Sequence, residues 1–173
     1  MSLGAFRGDN SYDLVLLLHI LASIIGFGAV FLNGLYGAQV RARRGPEGLA
    51  ILQANFLVSR VGTYFIYAVF VLGLVLVLMS DDVWSFGDTW IWLSMLLYVV
   101  GIGLSHGVQQ PSVRRMIALM EEIGAAGAQP PGGAPPPQAA EMQELGTRMG
   151  ATGAALNVLL VVILYLMVFK PGA

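Results

Sequence analysis

Four stretches of the chain carry no charged side chain: 14–40, 61–80, 89–113 and 149–169. Each holds the roughly 20 residues that an α-helix needs to cross a ~30 Å hydrocarbon core. A helix on the surface of a soluble bundle keeps one charged face, and none of these four has one. The pattern therefore predicts an all-α membrane protein, a four-helix transmembrane bundle forming a single domain over 1–173, with spans near 14–38, 60–80, 89–110 and 149–169. Residues 46–59 continue apolar with Glu47 as their one charge, and either lie at the interface or extend the second helix. The stretch 113–123 is amphipathic, and Met116, Ile117, Leu119 and Met120 are expected to lie on the membrane surface. The Pro- and Gly-rich run within 124–140 reads as a flexible linker.

Composition agrees with lipid contact. Of 173 residues, 57% are hydrophobic and 11% charged, against about 45–50% and 25% for a soluble domain. Mean hydropathy is +0.75. A net charge of -1 gives no basis for nucleic-acid binding. The chain lacks cysteine, which removes disulfides, thiolate metal sites and cysteine nucleophiles.

The basic residues predict direction. Arg41, Arg43, Arg44 and Arg60 flank the first connection and Arg114, Arg115 and Arg148 the third, while the other side has Arg7 and Lys170. Under the positive-inside rule both termini face outward. The second connection, with Asp81, Asp82 and Asp88, is then external, and Trp84, Trp90 and Trp92 suit the interfacial aromatic belt there. The first helix is expected to stay uncleaved, because its apolar stretch exceeds that of a signal peptide.

Polar side chains at membrane depth are costly, so their placement is informative. On the first helix His19, Ser23, Gly26, Val30, Asn33 and Gly37 form one small, polar stripe; Leu17, Leu21, Ile24, Phe31 and Leu35 lie opposite and suit lipid. His106 on the third helix is flanked by Gly103 and Gly107 at GxxxG spacing, and Gly150 and Ala154 repeat the device on the fourth, which favours close helix packing. With ~1.5 Å of rise per residue, His19 and His106 differ in depth by about 16 Å. Two levels follow. An outer one groups His19 with Met95, Met167 and Met79; an inner one groups Asn33, Arg60, Thr63, His106 and Asn157. Imidazole and thioether suit Cu(I), but methionines also fill apolar gaps. The inner group reads as a polar pocket or proton path, with Arg60 snorkelling to the interface as the alternative.

Three segments, Leu18-His19-Ile20-Leu21-Ala22, Gln110-Pro111-Ser112-Val113-Arg114-Arg115-Met116 and Met167-Val168-Phe169-Lys170-Pro171-Gly172, resemble an uncharacterised family of predicted bacterial integral membrane proteins. That resemblance implies a multi-pass protein of the bacterial inner membrane. More distantly, a His near the start of the first helix followed by small residues is similar to the CopD copper-resistance family. This second likeness implies copper or haem at His19, although the chain has no second histidine at that depth.

Three functional readings result. The leading one is a non-enzymatic accessory or interaction subunit that packs against other membrane subunits or as a homo-oligomer, since no nucleophile–base constellation appears. The second is a copper- or haem-binding membrane protein using His19. A transporter ranks third, because four spans with few intramembrane charges offer a poor alternating-access path.

Overall fold

The computed structural model describes residues 10–43, 45–126 and 137–172. Those residues form α1 (Asn10–Ala42), α2 (Pro46–Leu78), α3 (Thr89–Leu104), a π-helical turn (Ser105–Gln109), α4 (Gln110–Ala125) and α5 (Ala139–Phe169). No strand occurs among them. The third rod, α3 through α4, runs unbroken over Thr89–Ala125, so four helices are long and apolar enough to span a membrane. Exposure is inverted relative to a soluble protein. Leu17, Ile24, Phe31 and Leu35 are all about 60% exposed, while Ala22, Gly26 and Ala29 on the facing side of α1 are buried.

Local chemistry sets the helix ends. Asp13 in the first turn of α1 and Arg41 in its last complement the helix dipole. The chain reverses at Gly45, whose φ of 71° favours glycine, and Pro46 opens α2 where its missing N–H costs nothing. Pro111 explains the π turn. In a continuous α-helix its ring would strike the carbonyl of Gly107, four residues back. The wider turn avoids that clash, and Gln110 N–H bonds to Ser105 O, five residues back.

The helices α1 and α2 pack along their length in antiparallel register. His19 faces Gly73, Gly26 faces Ile66, and Ala29 faces Gly62; Ser59 Oγ donates to Asn33 Oδ1 at 2.9 Å. The third rod runs antiparallel to α5, with Gly101 against Leu156 and Leu159 and Arg115 hydrogen-bonded to Glu141. Further packing joins α1 to α5 and α2 to α4.

Three core layers are stacked along the bundle. The layer at the tryptophan-rich end holds Trp90, Ile91 and Leu166, and the middle one Ala22, Val69, Tyr98 and Ile163. Leu52, Val113 and Met116 form the layer at the arginine-rich end. At the tryptophan end, Lys170 Nζ lies 4.1 Å from the Trp84 ring centroid, Trp84 meets Trp90 edge-on, and the backbone N–H of Trp84 donates to Ser80 Oγ at 3.1 Å.

One expectation changes here, and one choice left open by the sequence is decided. The amphipathic stretch is not a surface helix: α4 buries Val113, Met116 and Leu119, with Met142, Leu145 and Met149 of α5 packed on the same layer. The segment 46–59 extends α2 and supplies Leu52 to that layer. In both cases the apolar face is better covered by neighbouring helices than by lipid, since each rod has turns to spare beyond a bilayer's thickness. Of the expected linker, 124–125 and 139–140 are helical, and its Pro- and Gly-rich centre, 127–136, lies outside the described residues.

Candidate functional site

A cavity of about 420 Å³ lies between the middle and arginine-end core layers, lined by residues of every helix. Small residues create it. Gly34 and Gly37 on α1, Gly101 on α3, and Gly146, Gly150, Gly153 and Ala154 on α5 all border it, and a Cβ added at Gly34, Gly146, Gly150 or Gly153 would meet nothing within 4 Å. The glycines on α5 thus hold space open rather than closing on a partner helix. Gly103 and Gly107 likewise meet no neighbour. The close approach expected of GxxxG occurs instead on the α1–α2 seam, at Gly26, Ala29 and Gly62.

All five residues of the expected inner group, Asn33, Arg60, Thr63, His106 and Asn157, line this cavity. Asn33 accepts from Ser59, and Thr63 Oγ1 donates back to Ser59 O at 2.8 Å. His106 stands on the π turn. Its Nδ1 lies 3.1 Å from Ile102 O, and since a carbonyl only accepts, Nδ1 carries the proton. In the neutral ring Nε2 then accepts from the Tyr67 hydroxyl at 2.7 Å, and the two rings stack. Tyr98, buried, donates its hydroxyl to Ile66 O, linking α3 to α2 at the cavity wall.

Several lining residues were missed by sequence reasoning, chiefly Asn55, Ser59, Tyr98 and Gln109. Asn55 is only 8% exposed. Its Oδ1, Gln109 Oε1 and Asn157 Oδ1 are buried without a hydrogen-bond partner. Buried amides are ordinarily satisfied, so three orphaned ones around a single cavity mark it as a place for a ligand or water.

The outer group is dispersed between layers. His19 rests on α2 at Gly73, its ring within reach of the Val69 backbone but with the buried Nδ1 outside good hydrogen-bond geometry. Met95 packs in the tryptophan-end layer, and Met167 borders both that layer and the middle one. Met79 caps α2 through its backbone. Among the described residues no group of three or more His, Asp or Glu is placed to hold a metal ion. His19 and His106 engage α2 at different levels, Gly73 and Tyr67, and do not meet.

Four rods with exposed apolar faces, around a mostly apolar cavity that holds a few polar groups, define a multi-pass integral membrane protein. Residues 13–171 match the family described as "Predicted integral membrane protein (DUF2269)", and the chain belongs to it. No curated protein and no solved structure matches.

Proposed function

We propose that the protein holds a small amphiphilic molecule between its spans, as a binding rather than a catalytic membrane protein. The observation that carries this is the cavity with three orphaned buried amides. Its volume falls in the range of ligand pockets, about 300–1,000 Å³, and its mostly apolar wall with a few convergent polar groups is the usual composition of one. Both ring nitrogens of His106 are engaged, which favours a structural part for it over that of a general base.

Two further readings each keep one supporting observation. An accessory or interaction subunit, or a homo-oligomer, is favoured by the exposed, unfilled face at Gly103 and Gly107. Copper or haem at His19, the reading that a distant CopD likeness suggests, is favoured by the buried Nδ1, outside good hydrogen-bond geometry, beside a layer that Met167 borders. One preparation separates the three. Protein extracted in mild detergent and sprayed intact in a mass spectrometer is expected to carry one small amphiphile per chain, and Leu160→Trp, which fills the cavity, is expected to remove it. A co-purifying subunit without any small molecule would favour the second reading. A Soret band or stoichiometric copper lost on His19→Ala would favour the third.

Orientation belongs to the same proposal: the arginine-rich end faces the cytoplasm of a bacterial cell and both termini face out. The absence of native cysteine makes the test direct. A cysteine at Ser85, exposed at the tryptophan end, should react with an impermeant maleimide in intact cells. One at Gly124, exposed at the other end, should react only after lysis. The opposite pattern reverses the topology.

A further inference from the structure

We infer that the molecule taken into the cavity is a single-chain anionic amphiphile, with its acidic head at Arg41 and Arg60 and its hydrocarbon chain running toward Leu160 and Ile163. The inference rests on the reading of the cavity as a ligand site and adds the sign of the head and the number of chains.

Charge gives the sign. Arg41 and Arg60 both line the cavity, and among the described residues no Asp or Glu does. Neither arginine has an ion-pair partner among the described residues, where ion pairs are made by Arg115 with Glu122 and Glu141. Two unpaired cations at the rim of a low-dielectric space favour an anion, and guanidinium groups suit carboxylate or phosphate through paired N–H donors. Asn55 adds a polar partner at the same end, one helical turn and a residue before Arg60. It is more than nine-tenths buried, and its amide has an unsatisfied atom. An amide turned by 180° presents N–H in place of oxygen, so Asn55 can donate to an acidic head.

Shape gives the rest. Beyond Arg60 most of the wall is apolar, through Ile66, Leu97, Leu160 and Ile163, with Thr63, His106 and Asn157 as polar interruptions that carry no acidic group. Ile163 belongs to the same core layer as Val69, and from Arg60 to Val69 the helix rises about 13 Å, a length for one medium acyl chain. A volume of about 420 Å³ lies in the lower part of the ligand-pocket range and suits one chain rather than two.

The test uses the full-length protein, stripped of lipid in a neutral maltoside detergent, with four probes: laurate, dodecyl phosphate, dodecanol and inorganic phosphate. Native mass spectrometry and thermal midpoints are read together. Laurate and dodecyl phosphate are expected to bind one per chain and raise the midpoint, while dodecanol binds about tenfold more weakly, the loss of one charge-assisted contact. Changing both arginines, Arg41→Gln with Arg60→Gln, should bring the anions down to the level of dodecanol and leave dodecanol unmoved. Added salt should weaken the anions alone, which keeps the test open even if the double variant folds poorly. Dodecanol binding as tightly as laurate would overturn the charge assignment while leaving the cavity a ligand site. Inorganic phosphate matching dodecyl phosphate would overturn the chain. If no probe binds wild type better than Leu160→Trp, the cavity reading itself falls.

Discussion

Gly62→Ala is expected to lower the thermal midpoint of the solubilised protein, and Gly28→Ala to leave it unchanged or raise it. The chemical change is identical; the neighbours differ. A Cβ at Gly62 would stand 2.5 Å from Ala29 Cβ, which is fixed directly to the α1 backbone, so relief requires the two helices to separate. Overpacking of this kind costs about 1–3 kcal/mol, and because the α1–α2 seam is long, the strain is shared by the contacts at Gly26 and Gly73. At Gly28 a Cβ meets nothing within 4 Å, and alanine in place of glycine gains up to about 1 kcal/mol of helix propensity. Gly48→Ala should be worse than either, since its Cβ would fall 2.1 Å from the Arg43 carbonyl oxygen in the turn. Midpoints measured by circular dichroism in one detergent decide the matter. Equal behaviour of Gly28→Ala and Gly62→Ala would mean that the helices do not approach closely at Ala29.

The second large effect concerns Asn55. In protein stripped of bound lipid, Asn55→Leu should raise stability by about 1–3 kcal/mol, because it replaces a buried, unpartnered amide with an apolar side chain of similar size. The same variant should bind the anionic probes more weakly. Asn33→Leu is the contrast: it takes the acceptor from Ser59 and is expected to destabilise. A gain in stability paired with a loss of binding is the signature of a group kept for a ligand. If Asn55→Leu is destabilised like Asn33→Leu, the amide has a structural partner and the cavity loses its main support.

The spans were legible because lipid tolerates so few charges: Arg41, Arg60, Asp81, Asp88, Arg114, Arg148 and Lys170 divide the chain without help from any other signal. The inner group was legible for a related reason, since Asn33, Thr63, His106 and Asn157 stand out against apolar surroundings and depth alone brings them together. Asn55 was hidden because 46–59 could be either an interfacial segment or an extension of the second helix, which left its depth open. Its spacing from Leu52 and Ser59, three and then four residues, was nevertheless a helical stripe pointing the same way as Gly62 and Ile66. The π turn also had a signal in Pro111, whose ring needs room at Gly107. Helix spacing gave no warning that Gly146, Gly150 and Gly153 would border empty space, because a small residue that admits a neighbour and one that leaves a void are the same letter. The difference lies in how closely the neighbouring helices approach.

At about 1.5 Å per residue, a helix of 33 residues such as α1 or α2 is close to 50 Å long, and a bilayer core accounts for about 30 Å of that. The surplus is gathered at the arginine-rich end, where Arg43, Glu47, Gln53, Glu121, Glu141 and Glu144 stand around the layer of Leu52, Val113 and Met116. Exposed charged side chains suit that layer to water, whereas the exposed Leu17, Ile24 and Val71 around the middle layer suit it to acyl chains. The molecule is thus assembled in two solvents. Association in hydrocarbon draws on dispersion and close fit, with little change in heat capacity, because lipid is as apolar as leucine. Separating the water-side layer instead hydrates apolar surface, with a positive heat-capacity change and a dependence on urea. One protein of 173 residues therefore contains two cores whose responses to temperature and denaturant differ in kind, joined by the helices that pass through both.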